Sequence, residues 1–201
     1  MGERLTQRKE QALKTKQQLY KKAISLFSKK GYNAVTVNEI CAQCNVSKGA
    51  FYTHFASKHD IIIKQSQKTD CAQFAFFEAL PKEMSSTEKL RQFVKFIGDH
   101  VMREKGFEVQ QIIYAAELSH DNRPGYIIDE RRPLYNCIKT IVEEGQQRGE
   151  FRSDISPHEI MNILVYSIRG AIYEWLITSG ENNLSEMELS LINLLIQGLK
   201  T

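Results

Sequence analysis

Proline and cysteine are scarce in this chain, with four of each in 201 residues. So few prolines leave long helices uninterrupted. So few cysteines cannot staple a chain of this length, which suits a reducing compartment. Long apolar runs are missing too: no aliphatic run exceeds the length of Ile61-Ile62-Ile63, against the ~20 residues that span a bilayer. The opening residues are polar and lack the apolar segment of a secretory leader. Strand signals are nearly absent. There is no G-x-S-x-G elbow, no G-x-G-x-x-G turn and no phosphate-cradling P-loop. The expectation is a cytoplasmic, all-α protein that is not an enzyme and associates with no membrane. Its composition, 42% hydrophobic and 25% charged, is that of a packed chain and not of a disordered one.

The net charge of +3 is unevenly spread. Residues 1–64 carry 12 Lys and Arg against 4 Asp and Glu, whereas the remainder carries 15 against 20. A basic segment joined to a larger acidic one fits a first part that meets a polyanion and a second part that does not. The expected division is therefore 1–64, with a polar N-terminal arm, and 65–201.

Helix signals recur along the whole chain. Leu13, Leu19, Tyr20, Ala23, Ile24 and Phe27 recur at helical spacing up to Gly31. Thr36 with Glu39 has the spacing of a reciprocal capping box, and Asn45 suits the left-handed exit from a short helix. Ser47 caps a third short helix that ends near Phe55. Ser57 with Asp60 opens a long helix that runs toward Pro81. Three short helices joined by tight turns make a helix-turn-helix arrangement, with Ile40, Val46, Phe51 and Phe55 in its core. Beyond Pro81 the pattern predicts a helical bundle. Ser85/Glu88 opens one helix, Phe107 to about His120 makes the next, and residues 121–125 form a loop. Tyr126–Arg148 reads as a helix kinked at Pro133. Ser156-Pro157-His158-Glu159 starts another, and Ser185/Glu188 opens the last.

The stretch Gly31-Tyr32-Asn33-Ala34-Val35-Thr36-Val37-Asn38-Glu39-Ile40, then Val46-Ser47-Lys48-Gly49-Ala50-Phe51-Tyr52-Thr53-His54-Phe55 and Ser57-Lys58, resembles the DNA-binding domain of TetR/AcrR-type transcriptional regulators. The match covers roughly residues 11–64 without a gap. The remaining two thirds resemble that family only in length and helical pattern. One departure is Cys44-Asn45, where the family usually has Ala-Gly; Asn tolerates the required backbone. The resemblance implies an N-terminal helix-turn-helix domain on double-stranded operator DNA. It also implies a C-terminal bundle that binds a small-molecule effector and forms a homodimer, more often a repressor than an activator.

The residues can be read on their own chemistry beside that resemblance. Lys48, Gly49 and Ala50 are small or basic and open the third helix, so its N-terminus can approach base edges in a major groove. Lys48 suits guanine O6 and N7, and Val37 or Ala50 a thymine methyl. Tyr52 and His54 offer donors to phosphate, and Thr36 and Ser47 can serve phosphates as well as caps. Lys58 in the first turn of its helix opposes the helix dipole, a placement that makes sense with a phosphate partner.

A two-fold site needs a dimer. Ile160, Ile163, Leu164, Ile168, Leu191, Leu194 and Leu195 are the candidates for its seam. For an apolar effector, Phe93, Met102, Tyr114, Tyr135, Tyr166 and Trp175 are candidate lining, with Arg169 as a polar anchor; Phe96, Phe107 and Tyr173 belong to the same set. No metal or cofactor is expected. Cys41-x-x-Cys44 has no second pair, and His120 with Glu117, or His100 with Asp99, lacks a metal-binding frame. Two further readings remain open: a thiol-responsive regulator or activator using Cys41, Cys71 or Cys137, and an interaction protein that does not bind DNA.

Overall fold

The computed structural model describes residues 7–103, 106–119 and 125–200. Within them the chain is helical: α1 (Gln7–Lys30), α2 (Val37–Cys44), α3 (Lys48–Tyr52), α4 (Lys58–Glu78), α5 (Ser86–Met102), α6 (Gly106–Leu118), α7 (Pro133–Gln147), α8 (Pro157–Ile177) and α9 (Leu184–Leu199). Among the described residues there is no strand, only a single antiparallel bridge between Phe151 and Lys200. The polar arm at 1–6, the loop residues 121–124 and His120 lie outside the described residues.

Helix ends follow the local chemistry. The hydroxyls of Thr36, Ser47, Ser85 and Ser156 accept the N–H of Glu39, Ala50, Glu88 and Glu159 at 3.1–3.2 Å, each removing one orphan donor for ~1 kcal/mol. The box at Thr36 is only half made, because the Glu39 carboxylate is turned to the Lys30 ammonium. Asn45 is left-handed, φ 53°, and its N–H and that of Val46 close back on Ala42 and Cys41. Two boundaries differ from the sequence reading. Pro133 is no kink: residues 126–128 form a separate 3-10 turn, and Pro133 opens α7 at its first position, where a missing N–H costs nothing. The last helix is capped by Asn183, whose side chain accepts from Glu186 N–H, which leaves Ser185 and Glu188 buried inside it.

The chain forms two compact units. The first holds residues up to Ser66 and also Gln111–Tyr126. It is therefore larger than residues 1–64, because the end of α6 is tied into it. Asn33 Nδ2 donates to Ser119 Oγ at 3.0 Å, and His59 Nε2 lies 3.6 Å from the Glu117 carboxylate. Its core is Leu19, Ala23, Phe27, Ile40, Phe51, Phe55, Ile61 and Ile62, all buried. Val46 is only half-buried.

The second unit holds residues 67–110 and 127 onward. Buried faces of α5 (Leu90, Phe93, Val94, Ile97), α7 (Ile138, Ile141, Val142), α8 (Ile160, Leu164, Val165, Ile168) and α9 (Ile192, Ile196) build its core; each such side chain contributes roughly 1.5–3 kcal/mol. Helix α8 has the length and composition of a membrane span, but this buried face is that of a core helix. Helices α5 and α9 meet closely at Gly98. A Cβ there would fall 2.7 Å from Ser185 Cα, so a larger side chain would force the two backbones apart.

Beside that crossing lies an unusual group. Glu188 is 1% exposed, and its carboxylate has no side-chain partner among the described residues, with the backbone N–H of Gly98 as the donor that faces it. Burial, then the nearby Asp99 charge, hold its carboxyl well above the usual range. Such a raised value makes the folded state the tighter proton binder. Glu188 therefore supports the fold below the ordinary glutamate pKa of ~4.3, and that support drains away as pH rises toward the folded value. Glu188→Gln is expected to be more stable than the parent at pH 7–8. The gap should grow as pH rises from the ordinary glutamate range toward the folded value. Urea melts from pH 5 to 8 check this; parallel curves for the two proteins would refute it.

Candidate nucleic-acid interface

The first unit positions the sequence-predicted DNA residues on α2, α3 and the turn after α3. Thr36, Ser47, Lys48 and Gly49 are exposed, and Val37, Ala50 and His54 half-buried. Tyr52 is 54% exposed while its neighbour Phe51 is fully buried; the two rings meet edge to face at 5.3 Å. Phe51 also touches Phe55 at 5.8 Å. The buried face of this short helix thus anchors it, and the face bearing Lys48, Gly49 and Tyr52 is turned out. The Thr36 and Ser47 hydroxyls each accept one backbone N–H and by their chemistry still have a proton to donate.

His54 follows α3 with its N–H on Phe51 O. Burial, and then the charges of Lys16 and Lys64, hold its imidazole below the usual histidine value. Lys16 on α1 and Lys64 on α4 are thus part of the basic surroundings, which sequence reading missed because the three residues are far apart in the chain. Lys64 is partly committed, pairing with Asp60 at 2.9 Å and donating to His54 O at 2.9 Å.

Lys58 stands apart from the expectation. Its Nζ donates to the carbonyls of Tyr32 at 2.9 Å, Val35 at 3.0 Å and Asn33 at 3.4 Å, and lies 4.4 Å from the Tyr32 ring centroid. Partial burial lowers its pKa from the usual lysine value. The ammonium expected to meet phosphate is therefore engaged with the chain's own backbone.

The other expected sites divide differently. Ile160, Leu164 and Ile168, expected at a dimer seam, are at most 2% exposed in the core of the second unit. The outward face of α8 carries Ile163, Tyr166, Tyr173 and Ile177 instead, and α9 exposes Leu191 and Leu194, with Leu195 half-buried. Tyr166, expected in a pocket, is 61% exposed.

Of the remaining lining candidates, Tyr114 belongs to the first unit and the others to the second. Phe93 is buried edge-on to Phe77, and Met102 is half-buried on α5. Trp175 is buried against Phe107, ring centroids 5.3 Å apart, and its indole N–H has no partner among the described residues. Arg169 and Tyr135 also come together. The guanidinium donates to the Tyr135 hydroxyl and to Ile127 O, and Tyr135 donates to the same carbonyl at 3.3 Å. Arg132 completes this cluster, reaching Ile127 O at 3.1 Å and forking onto Asp70 at 2.7 and 3.0 Å. Neither Arg132 nor Asp70 was singled out by sequence, since their pairing spans 62 residues.

A basic two-helix reading head with a buried aromatic anchor, in an all-α chain, defines a helix-turn-helix protein. Residues 19–64 match the family described as bacterial regulatory proteins, tetR family. Residues 83–199 match the tetracyclin repressor-like C-terminal domain. The chain belongs to the TetR family. It is similar to the HTH-type transcriptional regulator YerO of Bacillus subtilis, 27% identical over 92% of this chain but only 65% of that protein. It is also similar to the HTH-type transcriptional repressor NicS of Pseudomonas putida, 29% identical over 74% of this chain and 71% of that protein. The regulator FadR of Bacillus subtilis, solved in complex with stearoyl-CoA, shares the fold: TM-score 0.76 at 20% identity, covering 91% of this chain and 98% of that one.

Proposed function

We propose that the protein is a ligand-responsive transcriptional repressor. It binds a pseudo-palindromic operator as a homodimer in the cytoplasm and leaves it when a small, largely apolar effector occupies residues 65–201. The observation that supports this most is the exposed Lys48, Gly49 and Tyr52 on a helix held by buried Phe51, in a chain of the TetR family. Lys48 and Ala50, with Val37, read base edges. Thr36, Ser47, Gly49, Tyr52 and His54 hold phosphates, so affinity is largely electrostatic. Release requires that effector bind the DNA-incompetent state more tightly, about 1.4 kcal/mol for each tenfold preference. For the thiol-responsive alternative, Cys41 and Cys137 are buried, with burial pushing each thiol up, Cys137 to about 12, away from the reactive thiolate; Cys71 on α4 is exposed and is the thiol left to carry that reading.

Binding to a selected duplex over a salt series tests the reading. Lys48→Ala is expected to flatten the slope of log affinity against log salt by ~0.9, one phosphate or base-edge charge. Tyr52→Phe should weaken binding by ~1 kcal/mol with the slope unchanged. An unaltered affinity in both variants would sink the assignment of this face.

A further inference from the structure

Lysine 58 occupies a cradle of three backbone carbonyls, and this points to a role other than the one its position suggests. The carbonyls of Tyr32, Asn33 and Val35 belong to the turn between α1 and α2. That turn starts at Gly31, left-handed at φ 81°, and ends at Thr36, the cap of α2. It carries no helical pairing of its own, so its carbonyls need donors from elsewhere. One ammonium supplies three and lies over the Tyr32 ring as well. Tyr32 in turn packs on Phe27 of α1 at 5.1 Å. Lys58 is the first residue of α4, so a single side chain fixes the entry of α2 to the start of α4.

We infer that Lys58 is a positioning residue for operator recognition: it sets where α2 and α3 stand by clasping the α1–α2 turn, and does not contact DNA phosphate. This rests on the DNA-binding reading above. An ammonium with three converging donors fits this cradle; a planar guanidinium of fixed fork geometry does not. Arginine would, however, serve a phosphate at least as well. The two roles therefore part company in Lys58→Arg.

The test begins on the unaltered protein. Limited acetylation of its lysines, read by mass spectrometry, is run with and without a 40-base-pair mixed-sequence duplex at low salt. Lys58 should stay unmodified in the free protein and unchanged by DNA, while exposed Lys48 is modified free and protected by the duplex. Lys58 that is acetylated in the free protein overturns the clasp, whether or not DNA then protects it. Loss of Lys48 protection alone would instead overturn the DNA-binding reading. In a second measurement, Lys58→Arg is compared with the parent on a selected operator and on the mixed-sequence duplex. The salt slope should hold on both, and the affinity ratio between them should fall by about tenfold or more, as when one base pair of a site is misread. A preserved ratio in Lys58→Arg, or a slope reduced by about one in Lys58→Gln, overturns the proposal.

Discussion

Asp70→Ala is expected to lower the stability of the fold by about 3–5 kcal/mol, the cost of leaving a buried charge without its counter-ion. The Asp70 side chain is 3% exposed and that of Arg132 11%, and the pair is joined by two parallel hydrogen bonds. Arg132 also reaches the Ile127 carbonyl, on which Tyr135 and Arg169 converge. Removing the carboxylate thus strips the charge that balances a cation inside a shared network. Adding Arg132→Met should recover a large part of the loss, because an apolar replacement of both partners avoids the unpaired charge. Urea melts of the two single variants and the double variant measure this. Single variants within 1 kcal/mol of the parent would show the pair to be of little consequence.

Tyr166→Arg combined with Leu194→Arg is expected to yield a monomer by analytical ultracentrifugation and to weaken operator binding about 100-fold or more, the gain normally supplied by a second linked site. Helix α8 has two faces. Ile160, Leu164, Ile168 and Trp175 are turned to the core, while Ile163, Tyr166, Tyr173 and Ile177 stand outside, spaced at three, seven and four residues along one stripe. Gly170 lies in that stripe with nothing near its Cβ position. Leu191 and Leu194 of α9 are exposed as well, and apolar side chains gathered on an outer face mark an association surface. Both substituted positions are exposed, so the isolated subunit should keep its helical content. A double variant that remains dimeric and binds as the parent does would remove these faces from the account.

Much of the fold was readable from local signals. The caps at Thr36, Ser47, Ser85 and Ser156 involve residues three apart, and the left-handed Asn45 follows from its own side chain. Local signals are ambiguous where several partners satisfy the same pattern or where the partner is distant. Ser185/Glu188 has the spacing of a cap, but Asn183 precedes it and takes that role; Glu188 faces the α5 crossing instead. Helix α8 is apolar nearly all round, so periodicity does not separate its core face, which holds Ile160, Leu164 and Ile168, from its outer one. The exposed Tyr166 carries no sequence mark of its face for the same reason. Lys58 was read by position along its helix, whereas its partners are carbonyls 23 to 26 residues away, which carry no side-chain signature. Within the reading helix itself, the alternation of buried Phe51 and exposed Tyr52 was legible because both faces are set within five residues.

The most direct measurement of the central claim is selection of DNA by the purified protein from a random duplex pool, followed by titration of the enriched sequence from 50 to 200 mM salt. The expected result is an inverted repeat with half-sites about one helical turn or a multiple apart, bound by two chains with an affinity that falls steeply with salt. A pool that enriches no sequence, from protein stripped of any bound small molecule, would contradict it.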